Sequence, residues 1–294
     1  MTCLSGSELQ LWRREQLAGQ LDQAAALDWL LELEGGLLWT ELQASYLHPE
    51  APVQLRCSLQ RLEQIWQQHC QRQVPLQHLV GRCPWRDLEL EVGPAVLIPR
   101  QETELLVDVA IACFEAAAPP ERWADLGTGS GCVALALARH WPRSCGWAVD
   151  CSPEALAVAE RNAVALGLDQ SIALQWCEGV WWQPLLPMSG QLDLVVSNPP
   201  YIPTAVVDEL EPVVRDHEPR LALDGGSDGL DALRSIIEAA PSMLAPGGWL
   251  VLEHHHDQSA AVAELLRAAG LQERRQVRDL EGQLRFAVAR RSNR

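Results

Sequence analysis

The sequence predicts an α/β fold: a small N-terminal helical bundle, then a mostly parallel, doubly wound sheet closed by an antiparallel C-terminal edge pair. Three observations predict it. Residues 7–72 place apolar side chains at helical spacing, with no strand-like alternation. From about Arg100 onward, short apolar runs alternate with helical patterns, as in sheets wound with crossover helices. Between one such run and the next helix stands a glycine-rich loop, residues 127–131.

The elements follow in order. Leu9, Trp12, Arg13, Gln16 and Leu17 fit one amphipathic turn pattern, and residues 28–33 are rich in apolar side chains. Leu59, Leu62, Ile65 and Trp66 recur at helical spacing behind Ser58, a residue suited to cap a helix. Gly35-Gly36 and the pair Pro49 and Pro52 break these helices. Residues 1–75 form the first expected domain, a helical unit. Residues 76–98 are the expected link: Leu88-Glu89-Leu90-Glu91-Val92 alternates with period two, Gly93-Pro94 turns, and Ala95-Val96-Leu97-Ile98 returns as the second strand of a β-hairpin. The third domain is expected over 99–294. Its helices are expected at 102–115, 132–140, 153–166, 230–244 and 258–269. Strands are expected at 122–126, 146–149, 172–176, 192–197 and 248–253, with the edge pair at 272–277 and 283–289.

Composition excludes several functions. The 39 acids outnumber the 23 bases, all of them arginine, for a net charge of −16. A chain without lysine has no Schiff-base lysine and no lysine-bearing phosphate loop. Residues 1–75 hold nine acids and five arginines, and the remainder 30 and 18, so neither part offers a basic face to nucleic acid. There is no basic, then apolar, leader at the start and no run near the roughly 20 apolar residues of a membrane span. Nine cysteines without a C-x-x-C pair fit reduced thiols, and with the missing leader they suggest a cytoplasmic protein.

The loop reads Asp125-Leu126-Gly127-Thr128-Gly129-Ser130-Gly131. Its glycines let the backbone turn sharply and approach a ligand, and the next helix offers free N–H donors. A dinucleotide fingerprint wants a third glycine where Cys132 stands. A G-x-G-x-G loop after an acid suits S-adenosylmethionine, which carries a carboxylate, an amine and a sulfonium in place of a pyrophosphate. Asp150, 19 residues beyond Gly131 at the end of the next strand, is placed to accept hydrogen bonds from ribose hydroxyls.

Asn198-Pro199-Pro200-Tyr201 follows an apolar strand, at the carboxyl end where such sheets bind ligands. An amide or exocyclic amine nitrogen is a poor nucleophile because its lone pair is delocalised. Two acceptors, the Asn198 side-chain carbonyl and the Pro199 backbone carbonyl, can hold its two N–H groups and turn the lone pair toward an electrophilic methyl. Consecutive prolines fix the direction of that backbone carbonyl. Tyr201 can pack over a planar amide or base. Catalysis of this kind is positioning and electrostatics, and the pattern serves any planar NH₂ group, protein amide or nucleobase.

Together, D-L-G-T-G-S-G at 125–131 and N-P-P-Y at 198–201 resemble S-adenosylmethionine-dependent amino methyltransferases. I-P-R-Q-E-T-E at 98–104, E-P-R-L-A-L-D-G-G-S-D-G-L at 218–230 and D-L-E-G-Q-L-R-F at 279–286 narrow the resemblance. Over essentially its whole length the chain is similar to release factor glutamine methyltransferases (the PrmC/HemK family). The resemblance implies a Rossmann-like class I methyltransferase domain and methylation of side-chain N5 in the Gly-Gly-Gln loop of class 1 peptide chain release factors. It carries Gly127, Thr128, Gly129, Ser130, Gly131, Asp150, Trp181 and Asn198 over as cofactor contacts. Asn198, Pro199, Pro200 and Tyr201 carry over as the glutamine clamp, with Asn198, Pro199 and Tyr201 as its catalytic members. The family usually has Pro where Gln101 stands, and often Asp where Val180 precedes Trp181. The competing expectation is an adenine-N6 DNA or guanine-N2 ribosomal RNA methyltransferase with the same clamp, which calls for a basic face. A non-catalytic binding module is disfavoured by the intact loop and tetrapeptide.

No metal is expected. His254, His255 and His256 are adjacent at a strand end, so their side chains alternate in direction and do not converge on one ion. Arg100, Glu102 and Arg220 are divided between helix or loop structure and the substrate cleft. A monomer without membrane association is expected.

Overall fold

A computed structural model describes residues 1–168 and 173–293. The chain divides into two compact units, Met1–Gly81 and Arg82–Arg294.

In the first unit, β1 (Thr2–Ser5) leads into α1 (Gly6–Gln16), followed by α2 (Ala24–Leu33), α3 (Trp39–Leu47), β2 (Pro52–Leu55), α4 (Leu59–Arg72) and α5 (Leu76–Val80). Ser5 starts α1 with a capping box: its hydroxyl accepts from the Glu8 N–H, and the Glu8 carboxylate accepts from the Ser5 N–H. Ser58 caps α4 by accepting from the Arg61 N–H at 3.1 Å. Leu9, Leu27, Leu30, Leu31, Leu62, Ile65 and Trp66 fill the core. Arg13 grips Asp28 through two hydrogen bonds, of 2.6 and 2.8 Å, joining α1 to α2.

The expectation of helices alone is corrected here. β1 and β2 pair antiparallel, Thr2 opposite Leu55. Residues 52–55 do alternate, Val53 and Leu55 inward and Pro52 and Gln54 outward, but four residues are too few for period two to stand out beside a proline read as a helix breaker.

In the second unit, β3 (Arg82–Trp85) and β4 (Leu88–Glu91) make the hairpin, turning at Arg86 and Asp87 with Arg86 at φ +52°. The expected pairing of residues 88–92 with 95–98 is therefore wrong. Residues 95–98 are not a strand, although Val96 and Ile98 are buried. Pro84 disguised the true partner, since proline usually argues against a strand; an edge position tolerates it because no N–H is required there.

Then come α6 (Glu104–Ala112), β5 (Arg122–Leu126), α7 (Cys132–His140), β6 (Cys145–Asp150), α8 (Pro153–Ala165), β7 (Ala173–Glu178) and β8 (Leu192–Ser197). Ile172, the first residue of one expected strand, lies outside the described residues. Two single turns, α9 (Thr204–Val207) and α10 (Pro212–Arg215), precede α11 (Asp231–Met243), β9 (Leu244–Glu253), α12 (Ser259–Ala268), β10 (Gln272–Arg278) and β11 (Leu284–Arg290).

The sheet runs β10-β11-β9-β8-β5-β6-β7. β9, β8, β5, β6 and β7 are parallel, whereas β11 is antiparallel to both β9 and β10. Side chains alternate across it. Trp123, Leu194, Val196 and Val251 face α6 and α7; Ala124, Val195, Leu250 and Leu252 face α11 and α12. Gly146 makes room for the buried Trp123 ring, which a Cβ there would approach to 2.3 Å. Among the described residues, no helix is long and apolar enough to cross a membrane.

From β5 the chain winds outward through β6 to β7, then returns to β8 on the other flank of β5. The order thus reverses between β5 and β8, and the crevice outside their carboxyl ends is where doubly wound sheets take ligands.

Candidate active site

Leu126 and Ser197 are register partners at the ends of β5 and β8. The glycine loop and the tetrapeptide therefore leave the sheet side by side. They border a cavity of about 540 Å³, within the usual size of a small-molecule site. Gly127, Gly129, Asp150, Trp181, Asn198 and Pro200 line it, as do Ala95, Val96 and Leu97.

The loop is held by its own hydrogen bonds. The Gly127 and Thr128 N–H groups donate to the Val149 carbonyl at 2.8 and 2.9 Å. Gly127, Gly129 and Gly131 take φ of +77°, +55° and +83°, a region that disfavours side chains. Thr128 and Ser130 are buried beneath the cavity: the Thr128 hydroxyl donates to Asp125 at 2.7 Å, and the Ser130 carbonyl accepts from Asn162 at 2.9 Å. Asp150 accepts from the Gly129 N–H at 2.8 Å with one oxygen and from the Ser152 N–H at 2.9 Å with the other. Each oxygen keeps a lone pair for a ligand. Trp181 sits at φ +49°, and its ring lies 3.3 Å from where a Cβ on Gly127 would be.

Asp125 is buried under the loop. Burial pushes its carboxyl up to about 7, and the charge of Asp150 adds to this; hydrogen bonds from Thr128 and the Ala134 N–H oppose it. A pH effect on stability follows. The folded chain holds this proton where the unfolded chain, near 3.8, has released it. Stability from this group is therefore full below about pH 4 and is lost as pH rises to about 7. Against Asp125→Asn, the parent should lose unfolding free energy across that window in denaturant titrations at stepped pH. Parallel curves would reject the linkage.

Asn198 donates from Nδ2 to the Thr103 hydroxyl at 3.0 Å, and among the described residues its side-chain oxygen accepts no hydrogen bond. Among the described residues the Pro199 carbonyl accepts no hydrogen bond. The Tyr201 carbonyl, by contrast, accepts from Gln258 at 2.8 Å. Tyr201 sits outside the cavity lining, its hydroxyl 3.5 Å from Glu253. The segment after β8 is braced by the 218–230 region: Ile202 donates to the Leu223 carbonyl, and Gly225 donates to the Ile202 carbonyl. Gly225 and Gly229 pack so closely on the tetrapeptide that a Cβ would lie 2.8 Å from the Pro200 carbonyl and 2.3 Å from that of Tyr201.

The two arginines left undecided by the sequence are held by carboxylates. Arg100 pairs with buried Glu218 at 2.7 Å, and the same carboxylate accepts from the Ile98 N–H. Arg220 pairs with Asp208 and Asp224. Neither arginine lines the cavity, nor does Glu102. Among the described residues no cluster of His, Cys, Asp or Glu could hold a metal ion. The sequence reading missed Thr103, Glu253 and Gln258. Thr103 sits in the 98–104 motif, beside charged residues that drew attention away from its hydroxyl.

A Methyltransferase small domain model matches residues 103–215. A release factor glutamine methyltransferase of Prochlorococcus marinus is 49% identical over 97% of both chains, and one of Synechocystis is 39% identical over 98% of this chain and 97% of its own. A methyltransferase structure from Pyrococcus furiosus shares the fold, with a TM-score of 0.51 at 18% identity over 70% of this chain and 90% of that one.

Proposed function

This chain belongs to the release factor glutamine methyltransferase family, and from that premise we propose that it moves a methyl group from S-adenosylmethionine to the side-chain N5 of the glutamine in the Gly-Gly-Gln loop of class 1 peptide chain release factors. One observation carries the reading. Two neighbouring strands deliver to the same cavity a glycine loop beside an acid and a tetrapeptide whose Asn198 and Pro200 line it.

The cavity suits the cosubstrate. Asp150 has acceptor capacity for ribose hydroxyls, and Trp181 offers an aromatic wall for the adenine. The Asp150 carboxylate makes the loop a poor host for pyrophosphate and a good one for an amine and a sulfonium. When bound, S-adenosylmethionine supplies an electrophilic methyl. The chain's own groups position the acceptor. The Asn198 side-chain carbonyl and the Pro199 backbone carbonyl accept the two amide N–H bonds. That raises electron density on the nitrogen and turns its lone pair out of the amide plane; as the N–CH₃ bond forms, the S–CH₃ bond breaks with its electron pair going to sulfur, and the nitrogen sheds one of its two protons to water. Pro200 rigidifies the acceptor, and Tyr201, outside the lining, backs the tetrapeptide against the core. The gain comes from geometry and preorganised charge.

We assign residues 1–75 to recognition of the release factor, 76–98 to the link and 99–294 to methyl transfer. Exposed Leu38, Trp39, Tyr46 and Leu47 on and beside α3 support the first assignment. The enzyme acts in the cytoplasm as a monomer, without a metal and without binding nucleic acid. Purified protein with S-adenosylmethionine and a class 1 release factor should add one methyl to the Gly-Gly-Gln glutamine, read by peptide mass spectrometry. Label appearing on DNA or ribosomal RNA, with none on the release factor, would instead support a nucleobase substrate.

A further inference from the structure

Gln258 stands in the single 3₁₀ turn between β9 and α12, and it is buried. Both ends of its amide are engaged. Nε2 donates to the Tyr201 carbonyl at 2.8 Å and to the Gly229 carbonyl at 3.1 Å, and Oε1 accepts from the His255 N–H at 3.0 Å. Two acceptors on one side and a donor on the other leave the amide a single orientation. Gly229, at φ +74°, admits this approach, since a Cβ there would lie 2.7 Å from Nε2.

The Tyr201 carbonyl matters because of what precedes it. Consecutive prolines remove the N–H groups of residues 199 and 200, so the tetrapeptide has few donors with which to hold itself. Among the described residues, the bond from Gln258 is the one side-chain hydrogen bond to the tetrapeptide's backbone. The near end of the segment is fixed by the sheet, where Ser197 of β8 pairs with Leu252 of β9. Inside, each proline locks its own φ. The far end is the planar peptide group between Tyr201 and Ile202. Its N–H donates to the Leu223 carbonyl at 3.0 Å, and its C=O accepts from Gln258. Held at both poles, that plane cannot turn. Without Gln258 it swivels about the remaining bond, and the torsions of Tyr201 and Pro200 carry the freedom back to the carbonyls of the clamp.

The cavity wall keeps its shape by other means. Glu218 is tied to Arg100 and to the Ile98 N–H. Asp224 accepts from the Thr204 hydroxyl at 2.6 Å and from the Gly226 N–H at 3.0 Å. On the cofactor side Asp150 holds the glycine loop. None of these bonds involves Gln258.

We propose that Gln258 is a positioning residue for methyl transfer, fixing the far end of the amide clamp through the Tyr201 carbonyl. The inference rests on the clamp reading above and adds to it the brace that holds the clamp still. Gln258→Met keeps the length of the side chain and removes both donors. On a release factor substrate, with rates counted per folded molecule, we expect kcat to fall about 30-fold, while KM for the release factor and affinity for S-adenosylmethionine each stay within about threefold. A bond that served stability alone would lower the melting temperature and leave kcat in place. The chain has two tyrosines, so tyrosine labelled with ¹³C at its carbonyl gives two signals, from Tyr46 and Tyr201. In Gln258→Met the Tyr201 signal should move and the Tyr46 signal should stay. Gln258→Asn keeps the amide but stops one methylene short of the carbonyl, and its kcat should fall about tenfold.

Gln258→Met with kcat within about threefold of the parent overturns the proposal. So does a slowed variant whose Tyr201 carbonyl signal has not moved, or one whose loss lies in cofactor affinity. Should Gln258→Met fail to fold, Gln258→Asn decides by the same measures. A parent that leaves the release factor glutamine unmethylated removes the clamp reading and this inference together, whereas an active parent with unaffected variants removes the inference only.

Discussion

Replacing Asn198 with alanine should lower kcat by about 1,000-fold, the scale seen when one preorganised polar group is taken from a transition state, while S-adenosylmethionine binds within about tenfold of the parent. The asymmetry follows from the site. The cofactor side of the cavity is built by the glycine loop and Asp150, which reach one another through the Gly129–Asp150 hydrogen bond without Asn198. On the acceptor side only two carbonyls are proposed to hold the amide, and alanine removes one. A single remaining acceptor leaves the nitrogen free to rotate back into conjugation with its carbonyl. Single-turnover rates with saturating S-adenosylmethionine, beside a calorimetric titration of the cofactor, separate the two effects. An Asn198→Ala enzyme that turns over at the parent's rate would end the clamp mechanism.

Asp150→Ala should do the reverse. Two charge-assisted hydrogen bonds to the ribose, at about 1.5–3 kcal/mol each, predict S-adenosylmethionine binding weaker by about 100-fold or more. The loop also loses the carboxylate that holds the Gly129 and Ser152 N–H groups, so part of the loss is a less ordered cradle. At saturating cofactor the rate should return toward the parent value, because Asp150 lies outside the tetrapeptide proposed to hold the amide. Calorimetric affinity unchanged by the substitution would exclude Asp150 from the cofactor's contacts.

The readable parts of the fold share a physical property: they are long or doubly buried. Residues 122–126 and 192–197 are mostly apolar because both faces of a central strand are covered, and both appear as expected. Helices over residues 132–140 and 153–165 announce themselves by period. The failures are short. β1 and β2 have four residues each and one buried face. β3 contains Pro84, and residues 95–98 are apolar because they are buried, without pairing as a strand. For the site, spacing led to the loop, Asp150 and the tetrapeptide, and of these Gly127, Gly129, Asp150, Asn198 and Pro200 line one cavity, whereas Pro199 and Tyr201 do not. Thr103 lies 95 positions from Asn198 in the chain, and Glu253 meets the clamp only because β9 pairs with β8. Contacts made by sheet order carry no local signature. Arg100, conspicuous by charge, proved to be engaged by Glu218 away from the cavity, and Arg220 by Asp208 and by Asp224, which lines it.

The Leu126–Ser197 pairing also sets a length scale. In the proposed reaction the groups that hold methyl donor and methyl acceptor hang from adjacent strands, and the gap between such strands is about 4.8 Å, set by backbone hydrogen bonding. Side-chain replacement cannot stretch that gap. The peripheral loops and the first eighty or so residues are under no such constraint, so the range of proteins modified can drift over generations while the transfer distance stays inherited from the sheet. A lineage of such enzymes is free to change partners far more readily than chemistry.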